Sequence, residues 1–148
     1  MTDRKSMQRK VIPKVEISLR NAHGMMRPNF SRVRAALGRA VGAGRGKRRA
    51  EILFTTDAHI AELAGRFRGS PFPTDVLAFP EEGELAGEIA ISLDTARRQA
   101  RARGATLEEE VTLLCVHGLL HLGGQGDERL SEWCEMRVKE FETLARIL

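Results

Sequence analysis

The period of hydrophobic and polar positions changes along the chain, and the changes mark out its elements. Residues 14–20, "KVEISLR", place Val15, Ile17 and Leu19 at every second position, the period of a strand with one face buried. "NAHGMMRP" breaks that pattern. From Asn29 to Val41, Phe30, Val33, Ala36, Leu37 and Val41 recur at helical spacing, with Arg32, Arg34 and Arg39 off that face. Residues 50–55 read as a second strand, and Thr56 or Asp57 then caps a helix to about Arg66, with Ile60 and Leu63 inward. "RGSPFP" is an extended connection, 76–79 a short strand stopped by Pro80, "EEGE" a turn, and "LAGEIAIS" a strand alternating at Ile89 and Ile91. Residues 93–103 are helical. The longest helical patterns are 106–122, opened by the capping-box spacing of Thr106 and Glu109, and 128–148.

This order predicts an α+β fold, a mixed sheet of about four strands packed with about five helices. Residues 1–12 are polar, basic and aperiodic and read as a flexible tail; 13–148 read as one domain, a length that suits a single core. Hydrophobic residues make up 42% and charged residues 30%, and the longest apolar runs, such as "VTLLCV", are too short to cross a bilayer. No secretory signal is apparent, so the cytoplasm is the expected location. Cys115 and Cys134 lie in helical segments without metal or redox spacing and read as small buried hydrophobes.

A net charge of +4, carried mostly by arginine, favours a polyanionic partner. Arg32, Arg34 and Arg39, with Arg97, Arg98, Arg101 and Arg103, could follow a nucleic-acid backbone, an attraction that salt weakens. With no tyrosine, one tryptophan and aromatics at 5%, the composition does not support stacking of bases on an exposed aromatic platform. The glycines of "GAGRGKRR" lack the setting of a phosphate-binding loop.

The candidate chemistry lies in "VHGLLHLGGQGD", residues 116–127. His117 and His121 are one helical turn apart, so both imidazoles can reach one ion. Gly123, Gly124 and Gly126 let the backbone double back, so that Asp127 can supply a carboxylate. Two nitrogens and one carboxylate form a catalytic zinc set with a fourth position for water. Gly118 stands where a H-E-x-x-H peptidase keeps its glutamate, which argues against that class and leaves metal-assisted hydrolysis. His23 and His59 stand alone and read as structural or surface residues.

On these residues the chain resembles the YbeY-type endoribonucleases, whose signature H-G-x-L-H-L-x-G-Y-D-H corresponds to "HGLLHLGGQGD". "TDVLAFP" at 74–80 is similar to the family's T-D-V-L-S-F-P, "GEIAIS" at 87–92 to its G-D-I-x-I-S, Arg68 to its arginine, and Met136 with Glu140 to its M-x-x-x-E. The resemblance implies one Zn2+ per chain held by His117, His121 and Asp127, with His117 and Arg68 catalytic and Arg68 on a phosphate. It implies single-strand-specific cleavage of RNA in 16S rRNA maturation and ribosome quality control, with rRNA and ribosomal particles as partners and no DNA or membrane. It leaves the nucleophile open between metal hydroxide and the 2′-OH. The chain departs from the pattern at Asp127, where the family has its third histidine, at Gln125-Gly126 in place of Tyr-Asp, and at Ala64 and Ala78. A carboxylate for an imidazole lowers the charge of the site, making bound water less acidic and moving the activity optimum to higher pH. An alternative, a ribosome-assembly factor with a structural metal and weak or no catalysis, rests on that substitution. A metallohydrolase for a non-nucleic substrate fits the basic surface less well.

Overall fold

The computed structural model describes residues 14–41, 48–69, 74–124 and 130–147, without the side chains at 68, 130–134, 141 and 145–147. The tail at 1–12, the glycine-rich basic loop at 42–47, Asp127 and the Cys134 side chain therefore lie outside the described residues. The elements are β1 (Val15–Asn21), α1 (Phe30–Val41), β2 (Arg48–Thr55), α2 (Asp57–Arg68), β3 (Val76–Pro80), β4 (Leu85–Ser92), α3 (Leu93–Arg103), α4 (Leu107–Leu122) and α5 (Leu130–Ile147). The sheet order is β1-β2-β4-β3, with β1, β2 and β4 parallel and β3 antiparallel to β4. Among the described residues this is the expected mixed four-stranded sheet with five helices.

Side-chain alternation divides the core between the two faces of the sheet. Ile52, Phe54, Ile89 and Ile91 point to one face, where Val33 and Leu37 of α1, Leu93 of α3, Cys115 and Leu119 of α4 and Met136 of α5 close the main core. Leu77 and Ala90 point to the other, where α2 covers them with Ile60 and Ala64. Burial pushes the Cys115 thiol up, out of the reactive range. The ends of the helices follow local chemistry. Thr56 caps α2 by accepting from the His59 N–H, Ser92 caps α3, and Thr106 with Glu109 closes a reciprocal capping box on α4.

β2 and α2 each run two residues past the expected boundary, both for backbone reasons. β2 starts two residues early, at Arg48, because the strand ladder continues there: the Arg49 N–H donates to the Glu84 carbonyl, and the Arg48 guanidinium donates to the carbonyls of Glu81 and Gly83. α2 runs two residues longer, to Arg68, and ends where Gly69 turns left-handed at φ 69°.

A polar cluster locks the loop after β1 to the starts of α2 and α3. His23 Nδ1 accepts from the backbone N–H groups of Met25 and Met26, so Nε2 carries the proton and donates to Asp94 Oδ1 at 2.9 Å. The other oxygen of Asp94 accepts from the Asp57 N–H, while the Asp57 carboxylate accepts from Ser92, Thr95 and Arg98. His23 is thus a structural histidine, joined to a residue 71 positions away. Burial alone would raise the Asp57 and Asp94 carboxyls, but these hydrogen bonds, and for Asp57 the Arg98 cation as well, outweigh it and hold both below their ordinary value of 3.8. Depressed carboxyls contribute stability that is present above that value and lost as the pH falls through their folded-state values. Urea midpoints measured from pH 5 downward should therefore fall below about pH 4, and less steeply in Asp57→Asn than in the wild type.

Candidate metal centre

α4 is the element that builds the site. Its buried face lies on β4, and the contact is close at Gly118, where a Cβ would sit 2.7 Å from Ile89 Cγ2. The glycine that excludes a peptidase base is therefore what lets the helix approach the sheet. His117 and His121 flank this contact. Their rings stand 4.7 Å apart at 70°, and the two Nε2 atoms are 3.0 Å apart. Two imidazoles bound at 2.0–2.1 Å to one tetrahedral ion would hold their nitrogens roughly 3.3 Å apart. The nitrogen spacing of the pair is therefore close to the one that two ligands of a single ion would need.

The far side of His117 explains its orientation. Its Nδ1 is hydrogen-bonded to Oε1 of Glu140 on α5, and Oε2 of Glu140 pairs with Arg137 at 3.0 Å. A buried carboxylate on Nδ1 keeps the proton there and leaves the Nε2 lone pair for a metal, the usual support of a metal-binding histidine. Glu140 itself is 4% exposed, so water does not compete for this bond. Below the site on α4, Glu110 is also buried and faces Arg103 at 3.5 Å. Burial pushes its carboxyl up; Arg103 offsets part of that, and the charges of Asp75 and Glu140 add to the rise. Asp75 itself caps the start of β3, accepting from the Val76 N–H at 2.8 Å.

The glycine turn forms in part. The N–H groups of Gly123 and Gly124 donate to the carbonyls of Leu119 and His121, and Gly124 takes φ 92°. Asp127 follows outside the described residues, and among those residues no group of three His, Cys, Asp or Glu completes a ligand set. The structure thus brings together His117 and His121 of the expected site and adds Glu140 and Arg137.

Arg68 is the last residue of α2, and its backbone position is informative. At the turn end of the β3–β4 hairpin, Pro80 lies opposite Gly87, and a Cβ on Gly87 would meet Leu122 Cδ2 at 2.4 Å and the Phe79 carbonyl oxygen at 2.6 Å. α4 therefore reaches this end of the sheet from one face. From the other, the Phe67 ring of α2 meets the Phe79 ring edge-on, with centroids 5.2 Å apart. The ends of both helices converge on the same strand end, one carrying the histidine pair and the other Arg68. Against the composition, the structure also leaves an aromatic side chain in the open, with Phe67 60% exposed.

The sequence model of the family described as "Endoribonuclease YbeY" matches residues 14–148. The chain belongs to the YbeY endoribonuclease family. A YbeY relative from Thermus thermophilus is 42% identical over 125 residues, covering 80% of this chain and 88% of the relative. Another from Aquifex aeolicus is 44% identical over 96 residues, covering 62% and 63%. A solution structure from Thermotoga maritima superposes with a TM-score of 0.63 at 26% identity over 88% of each chain. Within the YbeY match lie both histidines, Arg68, Asp127 and Glu140.

Proposed function

We propose that this chain is a zinc-dependent endoribonuclease that cuts single-stranded RNA, acting in the cytoplasm in 16S rRNA maturation and ribosome quality control, with rRNA and ribosomal particles as its partners. The observation that carries the reading is the convergence of the His117 and His121 Nε2 atoms at 3.0 Å, with a buried carboxylate on the far nitrogen of His117. That donor set fits zinc: two neutral imidazoles are borderline ligands suited to it, and Asp127 would complete the set with an oxygen. A bound zinc supplies a Lewis acid for the phosphate and a more acidic water. The residues do the rest. Glu140 fixes the His117 ring, Gly118 sets the depth of both histidines over β4, and Arg68 would hold a non-bridging phosphate oxygen from the opposite side of the strand end. Among the described residues no helix is long and apolar enough to cross a membrane.

Elemental analysis of protein purified without added metal should find about one zinc per chain. Asp127→Ala should lower that occupancy and Asp127→His preserve it; full zinc in Asp127→Ala would move the third ligand to Glu128. RNA cleavage should disappear both on chelation and in His117→Ala. Zinc-loaded protein that binds RNA but leaves it intact would instead be the assembly factor.

A further inference from the structure

We propose that Phe67 is a stacking platform for one nucleobase of the bound RNA, a substrate-binding role that rests on the endoribonuclease reading above. Phe67 is 60% exposed at the end of α2 and meets the half-buried Phe79, so the two rings form one aromatic surface patch, the kind of feature that marks a binding site. The ring is not loose. Its contact with Phe79 fixes its orientation, and Phe79 in turn packs against the core under α2. A fixed, exposed aromatic ring is what base stacking requires, since every base has a π-face and the ring then has little freedom to lose.

The surroundings decide what would enter. Phe67 and Phe79 line one side of an open cavity of about 600 Å³ on the sheet face that α2 leaves uncovered, with Arg20 and Arg66 also at its wall. Glu51 and Glu88, register neighbours on β2 and β4, line it as well. Their negative charges oppose a phosphate inside the cavity but not a neutral base. Arg20 and Arg66 stand at the same cavity wall as the ring, so a strand could lay its base on Phe67 and keep its phosphates at these cations. The same helix end lies at the strand end that α4 reaches from the opposite face of the sheet. A low overall aromatic content is compatible with this, because a single platform needs a single ring.

The test uses zinc-loaded full-length protein and a fluorescent single-stranded oligonucleotide with 2′-O-methyl riboses, checked to remain intact, with binding read by anisotropy. Phe67→Ala should weaken binding between about fivefold and about a hundredfold, the range that base stacking spans. On cleavable RNA it should raise KM with kcat nearly unchanged. Phe67→Trp should restore affinity, with RNA quenching the fluorescence that the new indole adds over wild type. Phe67→Leu, which keeps the apolar surface without the ring, should behave like alanine. Wild-type affinity in Phe67→Ala or in Phe67→Leu, beside normal wild-type RNA binding, overturns the proposal alone and leaves the exposed ring to a protein partner. Wild-type protein that neither binds nor cuts RNA overturns the endoribonuclease reading and the proposal with it.

Discussion

Glu140→Ala is expected to weaken zinc binding by about ten- to a hundredfold, the usual cost of losing the carboxylate behind a metal-binding histidine. RNA cleavage at limiting zinc should fall with it. The loss has two parts. Without Glu140, His117 Nδ1–H has no acceptor at that position and the ring can rotate or exchange tautomers, so Nε2 no longer points where His121 Nε2 points. Arg137 also loses the carboxylate that it pairs with at 3.0 Å. Breaking one partner of a buried pair costs about 3–5 kcal/mol; the lower end applies here, because Arg137 is 34% exposed and water screens it. Glu140→Gln separates these parts. Its amide oxygen can face either His117 or Arg137, while its NH2 group opposes the other, so affinity should fall between wild type and Glu140→Ala. Competition against a chromophoric chelator measures the affinity. If the role is orientation, saturating zinc restores much of the cleavage in Glu140→Gln. If Glu140→Ala keeps wild-type zinc affinity, Glu140 serves only the packing of α5.

The histidine pair was legible because its geometry is local: four residues of helix define it wherever the helix lies. Boundaries were legible for the same reason where a side chain sets them, as Ser92 and Thr106 do for α3 and α4. What could not be read depends on contacts between elements far apart in the chain. Glu140 is 23 residues from His117 and could be placed only by family likeness, although a carboxylate near the buried Met136 and Thr143 of α5 was a visible irregularity. His23 looked solitary because its partner Asp94 comes from α3. The exposure of Phe67 was hidden as well, since composition averages over a chain while a binding surface can need one residue. In the sequence, Gly118 is informative only through what it lacks, a carboxylate. Its positive reason, contact with Ile89, exists only once α4 is laid on β4.

That contact carries the second large expectation, that Gly118→Val unfolds the chain more readily by about 3 kcal/mol and lowers zinc affinity in whatever remains folded. A Cβ at this position would lie 2.7, 3.0 and 3.2 Å from three side-chain carbons of Ile89, a residue only 1% exposed and packed into the main core. The helix must therefore lift off the strand. His117 and His121 sit on either side of the lifted point, so the distance between their Nε2 atoms and the bond to Glu140 change together. Gly118→Ala is the milder case: alanine favours a helix over glycine by about 1 kcal/mol, which offsets part of the clash. The mechanism is tested by relieving the clash from the other side. Ile89→Ala alone should cost about 2–5 kcal/mol as a cavity. In the double variant, the valine side chain fills space that the isoleucine vacated. Urea unfolding of the two single variants and the double should then show the double more stable than the sum predicts, by about 1 kcal/mol or more. Strict additivity would mean that Gly118 and Ile89 do not press on each other, and that the depth of the histidine pair over β4 is set elsewhere on α4.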